Sequence, residues 1–252
     1  NDIPFLRYIY DPLTTVTPEG VPAPFLAESW ELSEDGNTFT MVMREGATFV
    51  DGEPVDAAAV VANLDRMIND PNSTVAYVLA PIIASSEVVD ERTVKLNLQA
   101  PGGALPTIFA SRTGMMVSPK ALANPESLVT TPAGAGAFEL VSSAPGSRYS
   151  FERRADYWDE VAYPYAKLEY LIQVDTATRL NALQAGETTL TPVVGPQKAE
   201  AEAAGLSTWM AEGAGTSFTR LSMNSARSEF GSKQVRQAMN AAADRQGIAT
   251  TL

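Results

Sequence analysis

The sequence predicts an α/β protein with a mixed α+β architecture, and three observations lead to this fold class. Strictly alternating segments, Thr38–Met43 and Thr93–Leu98, indicate half-buried strands. The segment that follows Asp56 instead repeats its apolar residues at helical spacing. Helices and strands alternate without a regular repeat length, which disfavours a solenoid or a propeller.

The first half of the chain contains the clearest elements. Residues 27–44, AESWELSEDGNTFTMVMR, run from a Trp-bearing segment through a turn into a strand whose Phe39, Met41 and Met43 share one face. Asp56 begins a helix, and the Asp-Pro pair at Asp70 ends it.

The second half continues the alternation. A Pro- and Gly-rich segment at residues 130–136 indicates a crossing between subdomains or a surface loop. Asp175 is placed to cap a helix that Gly186 closes. The other elements predicted here are strands over Arg148–Arg153, 168–174 and 218–223 and helices over 197–204 and 232–243.

Composition excludes several classes of function. The chain of 252 residues carries 18 Lys and Arg against 30 Asp and Glu, a net charge of −12, which disfavours binding to nucleic acid or to anionic lipid. It has no Cys and no His, so thiol chemistry, Ser-His pairs and the usual zinc or nickel ligands are excluded. We expect no cofactor, no metal site and no catalytic residue. No apolar run reaches the ~20 residues that cross a bilayer, so no membrane span is predicted.

Several motifs, in order, resemble family 5 extracellular solute-binding proteins, which serve ABC importers of peptides and nickel. Residues 27–44 resemble the family signature, and further matches extend over nearly the whole chain. These matches are Tyr10-Asp11-Pro12-Leu13, the Gly-Ala-Gly-Ala-Phe at 134–138, the Glu-Arg-Arg-Ala-Asp-Tyr-Trp at 152–158, Asp175 with Gly186-Glu187, and Val235-Arg236-Gln237-Ala238. At 134–138 Ala replaces both the Thr and the Pro of the family pattern, and at 154–155 Arg-Ala replaces Asn-Pro.

The resemblance implies a periplasmic-binding-protein-like lobe, with a mixed sheet flanked by helices. Residues 1–32 and 134–252 are expected to form its main subdomain, and residues 33–133 a smaller inserted one. A second lobe, and any signal peptide or anchor, is expected to lie outside this chain. The implied location is the periplasm or the extracellular face of the cytoplasmic membrane. The implied partners are a small-molecule or peptide ligand and the permease subunits of an ABC transporter.

The resemblance places ligand contacts on three segments, from which we select Arg112, Asn224 and Ile3. Arg112 precedes a predicted strand at residues 115–117, and its guanidinium suits a ligand carboxylate, although a solvated loop arginine has the same pattern. Asn224 has amide groups for a ligand backbone, or for its own turn. Ile3 lies in the segment expected near the cleft, or in a frayed terminus. Trp30 and Trp158 are interpreted as packing residues.

Two other classes of function remain open from the residues alone. A hydrolase with a carboxylate pair needs no His, but no pattern places two acids on facing strand ends. A protein-interaction module without a small ligand is the other alternative. The predicted function is capture of an oligopeptide, dipeptide or related solute in a cleft between two lobes.

Overall fold

The computed structural model describes residues 3–193, 195–209 and 222–251, and the chain forms two compact units, residues 1–172 and 173–252. The strands of the first unit are β1 (Thr14–Val16), β2 (Pro22–Pro24), β3 (Ala27–Leu32), β4 (Thr38–Met43), β5 (Ile83–Val88), β6 (Thr93–Leu98), β7 (Phe138–Ala144), β8 (Arg148–Arg153) and β9 (Lys167–Leu171). Its helices are α1 (Ile3–Ile9), α2 (Ala57–Asn69), α3 (Ala76–Leu79), α4 (Leu105–Ile108) and α5 (Pro119–Leu122), with 3₁₀ turns at Arg112–Gly114 and Pro125–Val129. The described elements of the second unit are helices: α6 (Thr176–Gln184), α7 (Pro196–Ala203), α8 (Ser228–Gly231), α9 (Lys233–Ala242) and α10 (Arg245–Thr251).

The described strands form three sheets, with strand orders β1-β2, β3-β4-β6-β5 and β7-β8-β9. Each strand pairing in these sheets is antiparallel. Helices and sheets therefore coexist in the first unit, and the predicted fold class is confirmed.

The larger core lies between the four-stranded sheet and α2. Phe39, Met41 and Met43 of β4 are buried, as the alternating pattern predicts. Helix α2 packs against β5 and β6. The helix begins where the sequence indicates, because a carboxylate oxygen of Asp56 accepts a hydrogen bond from the N–H of Ala59 at 2.8 Å. Both Trp30 and Trp158 pack against this core, which confirms their interpretation as packing residues.

The smaller core lies between α1 and the three-stranded sheet. The ring of Phe5 meets the rings of Tyr149, Phe151 and Tyr170 edge to face, with centroids 4.8, 5.5 and 5.4 Å away. Ile9, the last residue of α1, is 4% exposed. Helix α1 is therefore anchored through its side chains, which differs from a frayed terminus.

A buried guanidinium joins three distant segments of the first unit. Arg154 donates to the carbonyl oxygens of Thr48, Phe49 and Gly136 at 3.0, 3.1 and 3.3 Å. It also pairs with the exposed carboxylate of Asp156 at 2.9 Å, while its own side chain is 3% exposed. The Arg154 side chain thus donates hydrogen bonds to backbone carbonyl groups that lie outside the sheets.

Gly136 allows α1 to lie directly against the loop before β7. A Cβ at this position would stand 2.5 Å from the carbonyl carbon of Ile9 and 2.6 Å from the carbonyl oxygen of Tyr8. Both neighbours are backbone atoms, so no side chain can turn away to make room. The N–H of Gly136 also donates to the carbonyl oxygen of Ile9 at 2.8 Å, which fixes the approach.

We therefore expect Gly136→Ala to lower the free energy of unfolding by about 3 kcal/mol, because the added methyl group must separate two packed segments. Urea unfolding measures this change. Gly103→Ala is the matched control, since a Cβ there meets nothing within 4 Å, and its expected effect is below ~0.5 kcal/mol. Equal effects of the two substitutions would contradict the prediction.

Some predicted elements differ in extent from the structure. The strand predicted at 168–174 ends at Leu171, which pairs with Arg148, the first residue of β8. The strand predicted at 115–117 is replaced by two isolated bridges, from Met115 to Pro12 and from Val117 to Gly134. Most of the strand predicted at 218–223 lies outside the described residues. The division into residues 1–32 with 134–252 and residues 33–133 stays a prediction.

Candidate functional site

Arg112 lies in the first unit, in a turn held by backbone and side-chain hydrogen bonds. Arg112 is exposed, whereas the next residues, Thr113 and Gly114, are buried. The hydroxyl of Thr113 donates to the carbonyl oxygen of Ile108. The carbonyl oxygen of Gly114 accepts the N–H of Leu13 at 2.9 Å. The turn therefore presents Arg112 outward from a fixed base.

Helix α1 contacts the same turn. Nη2 of Arg7 donates to the carbonyl oxygen of Ala110 at 2.7 Å. On the other side, buried Asn63 of α2 donates to the carbonyl oxygen of Val117 at 2.7 Å and accepts its N–H at 3.0 Å. Side chains of α1 and α2 thus position the segment around Arg112 from both sides.

A pocket of about 330 Å³ opens where these elements meet. Its polar lining includes Arg112, Arg66, Asp70, Tyr10 and Thr74. A second recess, of about 230 Å³, shares Thr74 and Arg112 and extends along the exposed ring of Tyr77. Two arginines and one aspartate therefore border a solvent-open cavity in the first unit.

The groups that line this pocket have unequal electrostatic environments. Burial raises the pKa of Tyr10 to about 12, although the charge of Arg66 opposes the rise, so the phenol is protonated at neutral pH. Nε of Arg66 is buried and has no hydrogen-bond partner in the described part of the chain. One carboxylate oxygen of Asp70 accepts the N–H of Asn72 at 2.8 Å. Arg66 thus brings to the pocket lining a buried donor that no described group satisfies.

Asp11 follows Tyr10 but belongs to the interior. It is 2% exposed and accepts the hydroxyl of Tyr157 at 2.9 Å and Nε1 of Trp158 at 3.0 Å. Burial raises the pKa of its carboxyl to about 7, against the lowering effect of these two hydrogen bonds. The guanidinium of Arg44 lies 4.2 Å from the Trp158 ring centre. Trp158 therefore serves the packing of this region.

The three predicted site residues lie in different parts of the structure. Arg112 lines the pocket, and α1, which begins at Ile3, contributes Leu6 to the same pocket. Asn224 is an exposed residue of the second unit. Its side-chain oxygen accepts the N–H of Ala226 at 3.0 Å, in the turn before α8. Ligand contact by Arg112, Asn224 and Ile3 stays a prediction.

The sequence analysis missed Arg66, Tyr10 and Thr74 as pocket residues. Tyr10 was noted only as part of a motif, and Arg66 was not singled out on its predicted helix. A signal for Arg66 exists, since a basic side chain in the last turn of α2 lies four residues before the Asp-Pro pair that ends the helix. That signal is equally typical of a helix C-terminus without a site.

Neither a candidate metal centre nor a membrane-spanning helix is found in the described part of the chain. The described residues contain no group of three or more His, Cys, Asp or Glu that is arranged to hold a metal ion. Among the helices of the same residues, none has the length and apolar character required to cross a membrane.

Comparison with known proteins gives consistent matches. Residues 21–252 match the family model described as bacterial extracellular solute-binding proteins, family 5 Middle. A curated relative, the glutathione-binding protein GsiB of Salmonella paratyphi A, is 32% identical over 224 residues, which are 88% of this chain and 44% of the relative. The chain thus spans less than half the length of this relative.

Solved structures agree with this match. The binding protein AgaA of A. tumefaciens R10, in complex with agropinic acid, is 30% identical with a TM-score of 0.68, covering 73% of this chain and 38% of AgaA. An ABC transporter substrate-binding protein from Sinorhizobium meliloti is 27% identical with a TM-score of 0.71, covering 80% of this chain and 42% of that protein.

Proposed function

Because this chain belongs to family 5 of the bacterial extracellular solute-binding proteins, we propose that the full-length protein captures a small solute and delivers it to an ABC permease. The solute class proposed is an oligopeptide, a dipeptide or a related compound, and the name of the relative GsiB supports this class. The proposed place of action is the periplasm or the outer face of the cytoplasmic membrane. We assign no catalytic step to the chain, since the relatives it matches are substrate-binding proteins.

The observation that carries the proposal is the pocket bordered by Arg112. The pocket is open to solvent on the first unit, and the turn that presents Arg112 is held by Arg7, Thr113 and Leu13. A turn that is fixed before the solute arrives loses little conformational freedom on binding. A volume of about 330 Å³ accommodates one end of a solute, so we propose that the remainder of the solute is covered by the second lobe that the family resemblance implies.

Isothermal titration of the full-length protein tests the proposal against glutathione, di- and tripeptides, metal chelates and sugars. We expect saturable one-to-one binding of at least one solute, which is recovered unchanged after incubation. Arg112→Gln is expected to weaken that binding by about 10- to 100-fold, because a charge-assisted hydrogen bond contributes about 1.5–3 kcal/mol. Arg148→Gln is the matched control, since Arg148 lies on β8 and pairs with Glu169 at 3.4 Å.

Other outcomes identify the alternatives. Appearance of a hydrolysed product would support the carboxylate-pair hydrolase. Absence of binding by every member of the panel would contradict solute capture and favour an interaction module. Equal affinities of the Arg112→Gln variant and the unchanged protein would remove Arg112 from the site while solute capture stands.

A further inference from the structure

We propose that Asn63 is a positioning residue for solute binding, because its buried amide sets the distance between two parts of the pocket lining. This inference rests on the proposed function and deepens it, since it assigns a role in solute affinity to a side chain that lies behind the described lining. The role does not depend on which chemical group of the solute enters the pocket.

The two parts of the lining belong to α2 and to the segment of residues 112–117. Their lining residues are Arg66 and Met67 of α2, and Arg112, Met115 and Val117 of the later segment. The distance between them is set by contacts between distant parts of the chain, which are 54 positions apart at Asn63 and Val117. A change in this distance changes the shape that the pocket presents to a solute.

The amide of Asn63 joins the two parts. Its Nδ2 donates to the carbonyl oxygen of Val117 at 2.7 Å, and its Oδ1 accepts the N–H of Val117 at 3.0 Å. Val117 is thus bound through both of its backbone groups, as it would be by a residue of a neighbouring antiparallel strand. On α2, Met67 follows Asn63 by four positions and therefore lies on the same face of the helix. The amide is accordingly directly behind lining residues on both sides.

The orientation of this amide is fixed because its donors and its acceptor are paired. Nδ2 also donates to the carbonyl oxygen of Ala59 at 2.9 Å, and Asn63 is 0% exposed. A rotated amide would direct its oxygen at two carbonyl oxygens, which donate nothing. A fully satisfied polar network in the interior favours one arrangement over its alternatives. Asn63 therefore holds Val117 at one distance from α2.

The segment has separate attachments to other parts of the first unit. Met115 forms a bridge with Pro12, and Val117 forms a bridge with Gly134. Neither bridge involves α2. Loss of the Asn63 amide is therefore expected to leave the segment folded while its distance from α2 is no longer fixed.

A pocket of variable width binds a solute less well than a pocket of fixed width. Binding groups need to be held within about 0.5 Å of the productive geometry, which requires hydrogen bonds behind the lining. If the binding geometry is populated about one-tenth of the time after release of Val117, the apparent affinity falls about 10-fold.

The test is titration of glutathione, dialanine and trialanine into the full-length protein and into its Asn63→Leu variant. Leu has a similarly branched side chain but makes no hydrogen bond to Val117. For each probe that binds, we expect Asn63→Leu to weaken binding about 10-fold. Arg154→Met is the control for lost stability, because Arg154 is buried and lines neither described cavity. Its affinity is expected to stay unchanged at a temperature where urea unfolding shows each variant to be folded.

Asn63→Asp adds a pH profile. At pH 8 the introduced carboxylate faces the carbonyl oxygens of Val117 and Ala59 without a proton to donate, so we expect about 10-fold weaker binding. Burial raises the pKa of a carboxyl group, so this group gains a proton as the pH falls to 5. Its O–H then donates to the carbonyl oxygen of Val117 and its other oxygen accepts the N–H. We expect the affinity to return to within about 2-fold of the unchanged protein at the same pH, whereas the ratio for Asn63→Leu stays constant.

Several outcomes would overturn the inference while solute capture stands. Unchanged affinity in both Asn63 variants, with a lowered urea midpoint, would show that Asn63 serves only the fold. An equal loss of affinity in Arg154→Met would show that affinity follows stability. Absence of recovery in Asn63→Asp at pH 5 would exclude the hydrogen bonds to Val117 as the cause, and this profile decides alone if Asn63→Leu fails to fold. Failure of all three probes to bind the unchanged protein would contradict the proposed solute class and the inference with it.

Discussion

Replacement of Arg154 by Met is expected to lower the free energy of unfolding by about 4 kcal/mol, because it removes the buried donor to three carbonyl oxygens. The carbonyl oxygens belong to Thr48, Phe49 and Gly136, and that of Phe49 also accepts the N–H of Gly52. The other two would be left in the interior without this donor. Met retains much of the apolar stem, so the loss reports the guanidinium and not a cavity. Urea unfolding followed by tryptophan fluorescence measures the change.

The adjacent residue provides the control for Arg154→Met. Arg153 is exposed and donates to the carbonyl oxygen of Tyr163 at 2.5 Å. Arg153→Met removes a positive charge from the adjacent position. We expect it to lower the free energy of unfolding by less than about 1 kcal/mol, because water can take over the hydrogen bond that this exposed side chain makes. Comparable losses in the two variants would show that charge, and not the buried hydrogen bonding of Arg154, stabilises the fold.

Replacement of Asp11 by Asn is expected to flatten the dependence of stability on pH between about pH 4 and pH 7. The pKa of Asp11 rises from 3.8 to about 7 in the folded protein, mainly through burial. The folded state therefore retains a proton that the unfolded state has released across this window. The stabilisation that this retained proton provides is complete below pH 4 and is lost as pH rises through 7. It amounts to about 4 kcal/mol in total, at ~1.4 kcal/mol for each unit of pKa difference between the folded and unfolded states. Asn is neutral throughout, and its side-chain oxygen still accepts from Tyr157 or Trp158.

Thermal unfolding between pH 3 and pH 8 measures this dependence in the unchanged protein and in Asp11→Asn. Asp90→Asn is the control, because the N–H of Arg92 and the interaction with Thr93 lower the pKa of the Asp90 carboxyl. A lowered pKa gives stability that is present above pH 4 and is lost only as pH falls, so Asp90→Asn is expected to alter the dependence of stability on pH only below pH 4. A difference between the unchanged protein and Asp11→Asn that stays constant from pH 4 to pH 7 would contradict the prediction.

Local sequence patterns predict the elements of this fold well where one face of an element is buried. The alternation in β4 identifies Phe39, Met41 and Met43 as buried, and Asp56 identifies the first turn of α2. Both signals depend on residues that are close in sequence, so they can be interpreted without knowing which element packs against the strand or the helix. The family resemblance adds the order of the motifs and leads to the same family that the comparison identifies.

Contacts between distant segments were not predictable in the same way. Arg154 was noted only as a departure from a family motif, although it reaches Phe49 across 105 positions. The pocket likewise combines residues near positions 10, 66 and 112. The sequence around Arg66 does not show whether this arginine lines a pocket or only interacts with the C-terminal end of α2. An arginine on the polar face of the last helical turn is expected in both cases. The family resemblance identified Arg112 as a candidate ligand contact, but the sequence did not identify Tyr10 and Arg66 as residues of the same pocket.

The anchoring of α1 affects the order in which the chain folds. Helix α1 precedes the rest of the first unit along the chain, but Arg7 contacts Ala110, 103 positions later, and Phe5 packs against Tyr170. Seven residues form at best a transient helix when isolated in water. Long-range contacts require closure of long loops before they contribute stability, and they slow folding. Helix α1 must therefore wait for most of the first unit to leave the ribosome before it docks, and until then its apolar face is available to chaperones.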